Sequence, residues 1–139
     1  MSHRIVLEIV TPSKVELRKE VDYVVAPTLE GMIGVLPGHI RLITHLTTGV
    51  LRYQIDHTDY YMAVSEGFME VTPHKIIILA EVAELPENID VEKALADKRQ
   101  AEELLCRSLD EKINFAKIQI ALERAVTELE VARKYGNTK

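Results

Sequence analysis

Histidine and cysteine are among the residue types in this chain that could bind a metal or act in catalysis. No two histidines share a ligand-like spacing with a Cys, Asp or Glu on one strand face, so we predict no metal site. The lone Cys106 has no cysteine neighbour, and it is interpreted as a small apolar residue near a helix end. The five histidines are His3, His39, His45, His57 and His74.

Catalytic motifs are missing from the sequence. It contains no nucleophile elbow, no Gly-rich phosphate loop and no acid pair set in an obvious apolar pocket. We therefore expect a protein that is not an enzyme, with a binding or coupling role.

The segment from Glu30 to His39 is the most informative stretch. Gly31 and Gly38 can adopt positive φ, and Pro37 followed by Gly38 fits a type II turn. The pattern predicts one rigid loop at an end of a β scaffold. Such a loop either binds a partner or simply reverses the chain.

Charge and hydropathy narrow the possible partners. The chain has 139 residues and a net charge of −5, which argues against nucleic acid. Its longest apolar candidate, Ile76 to Ala80, is far shorter than the roughly 20 residues of a membrane helix. No secretory signal precedes Glu8. We expect a cytoplasmic protein that reaches a membrane only through a partner.

A change of composition near residue 88 predicts two domains. All five prolines and five of the six glycines precede Val91. We predict an antiparallel β-sandwich over residues 1–87 and an antiparallel two-helix hairpin over residues 88–139. After a first strand around Ile5–Ile9, the predicted strands are Asp22–Ala26, Met32–Leu36, Gly49–Ile55, Tyr60–Ser65, Phe68–Val71 and Lys75–Val82.

The strand around Ile76 to Ala80 is apolar at consecutive positions, so we expect both of its faces to be covered. It is the predicted core strand of the sandwich.

The helical part has a start signal and one apolar seam. Asp90 is the predicted N-cap, and Ser108 to Asp110 the predicted turn between the helices. Few large side chains support the pairing, so the hairpin is predicted to detach or extend, although a permanently docked hairpin fits the composition equally well. The seam is Phe115, Ile118, Leu122, Ala125, Leu129 and Ala132, facing Val91, Ala94, Ala101, Leu104 and Leu105.

At the Gly31 to His39 segment the chain resembles the epsilon subunit of F-type ATP synthases. The family signature Gly-x-(Leu/Ile)-Gly-x-(Leu/Tyr)-Pro-Gly-His is matched there. Further matches follow in order over essentially the whole chain. They are Val10-Thr11-Pro12, Gly67-Phe68-Met69-Glu70-Val71 and the Ile89-Asp90 start of an Ala-rich hairpin.

The resemblance implies a subunit of the rotor's central stalk in a proton- or sodium-translocating ATP synthase. Its partners would be the gamma subunit and the ring of c subunits, at the cytoplasmic face of the membrane. The residues implied to face the c ring are Glu30, Gly31, Met32, Gly38 and His39.

In the family, the hairpin can extend toward the catalytic alpha and beta subunits and inhibit ATP hydrolysis through basic side chains. Acidic residues are interleaved with the cations of this hairpin, so each one also fits an ordinary solvent-facing charge. The available cations are Arg107, Lys112, Lys117, Arg124, Arg133 and Lys134.

Some bacterial relatives bind regulatory ATP through an (Ile/Leu)-Asp-x-x-Arg-Ala motif. Here Lys93 replaces the arginine and cannot form its forked hydrogen bonds to phosphate. Gln100 and Glu128 also stand where some ATP binders carry arginine. The implied ATP contacts are Glu84, Ile89, Asp90, Lys93, Ala94 and Arg124.

Two other functions are possible. One is a cupin-like sandwich that binds a small molecule or metal and oligomerises through its helices, which requires converging histidines. The other is a coiled-coil adaptor whose seam pairs with a second chain.

Overall fold

The computed structural model describes residues 4–107 and 115–135. Ten strands precede a short 3₁₀ turn at Pro86–Asn88 and two α-helices, which confirms the predicted fold class. The strands are β1 Ile5–Val10, β2 Val15–Val21, β3 Tyr23–Thr28, β4 Gly31–Val35, β5 Leu42–Leu46, β6 Gly49–Ile55, β7 Thr58–Val64, β8 Gly67–Val71, β9 Lys75–Ala80 and β10 Ala83–Glu84. The helices are α1 Val91–Arg107 and α2 Phe115–Tyr135.

The strands run in the order β10-β7-β6-β3-β5-β8-β9-β1-β2, and β4 pairs with β3. All pairs are antiparallel except β1 with β9. Short links force neighbours in sequence to run antiparallel, but β1 and β9 are far apart along the chain and are free of that constraint.

Alternating side chains build the sandwich core. In β1, Ile5, Leu7 and Ile9 are fully buried, while the residues between them are half-buried. The same alternation in β6 and β8 buries Leu51, Tyr53 and Met69. The period of two seen in the sequence thus reports the side of each strand that faces the core.

Three strands were not predicted from the sequence, namely β2, β5 and the two-residue β10. In β2 only Leu17 and Val21 are buried among charged residues, so its apolar signal is weak. In β5 the short sequence Leu-Ile-Thr-His-Leu lacks strong flanking turns. The β6–β7 turn is also shorter than the predicted turn over residues 56–59. Asp56 and His57 adopt positive φ and form a two-residue hairpin turn, so that Thr58 and Asp59 already belong to β7.

The prediction that β9 is covered on both faces is wrong. Ile76 and Ile78 are buried, but Ile77 is half-buried and Leu79 is 50% exposed. The outer face of this apolar strand is therefore open over its C-terminal half.

The start of α1 is as predicted. The Asp90 side chain accepts the backbone N–H of Lys93 at 3.1 Å, which is the geometry of an N-cap. The predicted turn at Ser108 to Asp110 lies outside the described residues.

The seam between the helices is confirmed in its middle but not at its ends. Ile118, Ala125 and Leu129 are buried, as are Ala94 and Ala101 opposite them. Phe115 and Val91, which were assigned to the seam, are 57% and 38% exposed. Each of these residues is the first residue of its helix. At a helix end, the neighbouring helix covers less of a side chain than it does in the middle.

The second helix also packs on the sandwich, which the single-seam prediction missed. Val131 is fully buried in a small cluster with Ala63 of β7 and Ile89. Near the end of α2 the Tyr135 ring stacks on Tyr61 of β7, with 3.6 Å between ring centroids. The helix therefore buries two faces, one against α1 and one against the sheet.

Candidate functional site

The Glu30 to His39 segment forms two turns instead of the predicted single loop. Gly31 and Gly38 have φ of 106° and 82°, and the His39 N–H donates to the Leu36 carbonyl at 3.1 Å. The glycine conformations and the Pro37-Gly38 turn are thus confirmed. However, β4 runs between the turns, and its five residues span roughly 16 Å at ~3.3 Å per residue.

The residues implied to face the c ring fall into two groups along β4. Glu30, Gly31 and Met32 are exposed at its start, and Met32 is 60% exposed. Gly38 and His39 follow its end, where the Gly38 N–H donates to the Pro73 carbonyl at 2.9 Å. An extended strand, and not a compact loop, connects the two groups.

An apolar outer face covers the neighbouring strands β5, β8, β9 and β1. The strand register aligns His45 with Phe68, Phe68 with Leu79, and Leu79 with Val10. Phe68 is 49% exposed, and its ring lies 4.6 Å from the His45 ring. These residues line a groove of about 730 Å³ that Ile120 of α2 also borders.

Sequence reasoning missed this face, although it carried a signal. The run from Ile76 to Ala80 was interpreted as a strand covered on both sides within the chain. Its outer side is open in the structure, so the same pattern instead belongs to a strand with one buried face and one exposed apolar face.

A second cavity lies between the sandwich and the hairpin. Its volume is about 840 Å³, and Glu84, Lys93 and Arg124 line it among the six implied ATP contacts. The other three have different surroundings. Ile89 packs with Val131, Asp90 caps α1, and Ala94 is buried.

Two acidic side chains meet in this cavity, Glu84 from β10 and Glu128 from α2. Burial, a hydrogen bond with Glu84 and repulsion from its charge raise the pKa of Glu128 to about 8, against a smaller opposing effect of Lys93. The Glu84 Oε1 atom is buried and has no hydrogen-bond partner. The pair therefore holds a proton at neutral pH.

The cations implied to act in inhibition differ in their surroundings. The Arg124 guanidinium donates to the Glu66 carboxylate at 3.0 and 3.2 Å, which ties α2 to the β7–β8 turn. Lys134 pairs with Glu130 on its own helix at 3.7 Å. Arg107, Lys117 and Arg133 are exposed, and Lys112 lies outside the described residues.

The described histidines are spread over the sandwich. His45 lies on the outer face, His57 in the β6–β7 turn and His74 in the β8–β9 turn. Within residues 4–107 and 115–135, no three His, Cys, Asp or Glu side chains form a group that could hold a metal ion. Neither α1 nor α2 combines the length and apolar character needed to cross a membrane.

Two family models match almost the whole chain. Residues 4–86 match "ATP synthase, Delta/Epsilon chain, beta-sandwich domain", and residues 87–133 match "ATP synthase, Delta/Epsilon chain, long alpha-helix domain". The matched ranges meet where the sandwich gives way to the helices.

Relatives and solved structures agree with these matches. The chain is 46% identical over 134 residues to an ATP synthase epsilon chain of Syntrophobacter fumaroxidans, covering 96% of this chain and 99% of the relative. It is 44% identical over 125 residues to that of Nitratidesulfovibrio vulgaris, covering 90% and 92%. A chain of the Euglena gracilis mitochondrial ATP synthase, solved with its c-ring, superposes with a TM-score of 0.76 and 28% identity over 94% of this chain and 81% of that chain. On these grounds, the chain belongs to the ATP synthase delta/epsilon chain family.

Proposed function

We propose that this chain is a non-catalytic rotor subunit in the central stalk of a proton- or sodium-translocating ATP synthase. It would couple the catalytic head to the c ring and work at the cytoplasmic face of the membrane, held there by the complex. Family membership supports this role, as does the similarity to a chain solved within an F1 and c-ring assembly.

The open outer face of the sandwich is the observation that carries the proposal. Phe68 and Leu79 lie side by side on paired strands and are each about half exposed. Ile43, on the same face of β5 two residues from His45, is 70% exposed. Exposed large apolar side chains in one patch are typical of protein interfaces. We propose that the gamma subunit covers this face.

The c ring would contact the β4 edge. This strand pairs only with β3, and it carries Met32 and the two glycine turns. Since the turns lie roughly 16 Å apart at ~3.3 Å per residue, the ring would contact the length of the strand instead of one loop.

The test is co-purification with a gamma subunit. We expect the Phe68→Ser and Leu79→Ser double variant to lose most of the gamma recovered by the unchanged chain. The Val126→Ser variant, which removes an apolar side chain 44% exposed on α2, is the matched control and should recover gamma normally. Equal recovery by all three proteins would contradict the proposed interface.

The hairpin is proposed to restrain ATP hydrolysis when it leaves the sandwich and approaches the alpha and beta subunits. Its release would free Arg124 from Glu66 and expose Val131, so both groups would become available to a partner. The cations Arg107, Lys112, Lys117, Arg133 and Lys134 are proposed as further contacts.

Regulatory ATP binding in the cavity is proposed only as a weak interaction. Lys93 and Arg124 would attract phosphate, but the negative charge that remains on the Glu84–Glu128 pair would repel it. Calorimetric titration with ATP should therefore give a higher affinity for a Lys93→Arg and Glu128→Arg double variant than for the unchanged chain. A control Glu130→Arg variant adds the same charge outside the cavity. No heat with any of the three proteins would exclude a nucleotide site here.

A further inference from the structure

The contact between Glu84 and Glu128 joins the sandwich to the hairpin, beside the Val131 cluster and the Arg124–Glu66 ion pair. Glu84 belongs to the last strand of the sandwich, and Glu128 lies in the middle of α2. Both carboxyl groups line the cavity between these parts. Two ionised carboxylates in one partly buried cavity repel each other, whereas one shared proton allows them to form a hydrogen bond.

The charged groups around this pair are largely occupied by other partners. From α1, Lys93 pairs with Asp97 at 3.7 Å. From α2, Arg124 pairs with Glu66 at 3.0 Å, and from the sandwich Lys14 lies 3.9 Å from Glu16. The remaining charged residues that line the cavity are Glu81 and Lys117.

The buried Glu84 Oε1 atom shows, independently of any titration, that a negative charge at this site is poorly solvated. It has no hydrogen-bond partner within the described residues. A buried polar atom without a partner carries a desolvation cost, and a buried carboxylate charge costs more than a neutral carboxyl. The docked arrangement therefore favours the state in which the pair retains a proton.

We propose that Glu84 and Glu128 form a proton-operated latch, which holds the hairpin on the sandwich while one proton is shared and weakens when that proton is lost.

The direction of the pH effect follows from the two states of the hairpin. In the docked state the pKa of Glu128 is raised to about 8, whereas an exposed glutamate in a released hairpin titrates near ~4.3. Docking is therefore strongest below the lower pKa, where both states carry the proton. Between that pH and about 8, the hairpin must take up a proton when it docks. The equilibrium constant for docking therefore falls about tenfold for each unit of pH. Above that range the docked pair is ionised too, and the constant levels off.

The consequence for enzyme regulation rests on the proposed inhibitory function of the hairpin. If the released hairpin inhibits hydrolysis, then inhibition of the assembled complex should deepen as pH rises toward 8. The latch itself does not depend on that function, because docking can be measured in the isolated full chain.

Docking can be followed by energy transfer between a dye on the exposed Cys106 of α1 and a dye on a cysteine introduced at the exposed His57. We expect the docked fraction to fall between pH 6 and pH 8 for the otherwise unchanged chain. Glu128→Gln should stay docked and lose the pH dependence. Glu84→Gln should stay docked with a weaker pH dependence, because it removes the Glu84 charge while burial still raises the pKa of Glu128. Glu130→Gln is the matched control on α2, with an exposed carboxylate that pairs with Lys134, and should keep the pH dependence.

A second measurement follows the titration of the latch carboxyl directly. Carbon-13 NMR of the glutamate side-chain carboxyls should show one carboxyl of the docked chain titrating near pH 8, and that signal should disappear in Glu128→Gln. A Glu128 carboxyl that titrates near ~4.3 while the hairpin is docked would overturn the latch. So would a docked fraction that changes equally with pH in Glu128→Gln and in the unchanged chain. If docking follows pH as expected but hydrolysis by the complex does not, the latch stands and the proposed inhibitory function fails.

Discussion

Gly67 lies where two strands approach too closely for any side chain. A Cβ atom added there would stand 1.8 Å from the Leu79 carbonyl oxygen and 2.9 Å from the Ala80 Cα atom. Both obstacles are backbone atoms of the paired strand β9, so they cannot rotate away. The glycine that opens the Gly67-Phe68-Met69 motif is thus required by packing.

We expect Gly67→Ala to lower the free energy of unfolding by about 1–3 kcal/mol or more, because β8 and β9 must separate to accept the methyl group. Gly34→Ala is the matched control, since no atom lies within 4 Å of its added Cβ and its φ is not positive. The control should be neutral or stabilising by about 0.4–1 kcal/mol. Urea unfolding of both variants measures the difference, and equal midpoints would contradict the predicted clash.

Helix α2 is the element that decides how firmly the hairpin is held. It shares one face with α1 and places Val131 and Tyr135 against strand β7. In its Arg124–Glu66 ion pair, both side chains are slightly more than a third exposed. Solvent therefore screens the pair, and it adds at most about 1 kcal/mol to docking. Apolar burial at Val131 therefore contributes more to docking than this ion pair.

Val131→Ala should weaken docking of the hairpin by about 1.5–2 kcal/mol, because it removes two buried methyl groups at ~0.8 kcal/mol each. Val126→Ala makes the same change on the same helix at a side chain that is 44% exposed, and should have little effect. Energy transfer at pH 6, where the proposed latch is closed, measures docking in both variants. Equal docking would mean that the sandwich does not hold this face of α2.

At the scale of the whole molecule, the sandwich has a core of its own. Its main cluster of buried residues runs from Ile5 to Ala83 and contains no residue of either helix. Among the described residues, the hairpin meets the sandwich in a separate small cluster of Ala63, Ile89 and Val131, with Val50 and Ala132 at its border. This separation is consistent with the proposal that the hairpin can leave the sandwich without unfolding it.

Deletion of residues 89–139 should accordingly leave a sandwich that folds and assembles with the complex. We expect the assembled enzyme to hydrolyse ATP faster than the complex with the full chain, because the proposed inhibitory arm is missing. Steady-state hydrolysis and the subunit composition of the purified complex are the two measurements. Normal assembly with an unchanged rate of hydrolysis would contradict the inhibitory function, and the coupling role would be the part of the proposal that remains.

Much of the fold could be predicted because it depends on local signals. Alternating apolar residues identified β1, and the stretch without Pro or Gly from Val91 to Tyr135 identified the helices. The Asp90 cap and the positive φ of Gly31 and Gly38 follow from the chemistry of single residues. The family signature was likewise visible in short, consecutive motifs.

The sequence by itself therefore determined the two-part architecture, the helix start and the family, since each depends on residues that are neighbours in the chain. Tertiary structure alone decided which apolar surfaces stay open and which charges meet. The exposure of Leu79, the division of one expected loop by β4 and the meeting of Glu84 with Glu128 all depend on strand register and helix docking. Those contacts join residues far apart in sequence, and no local pattern encodes their distance.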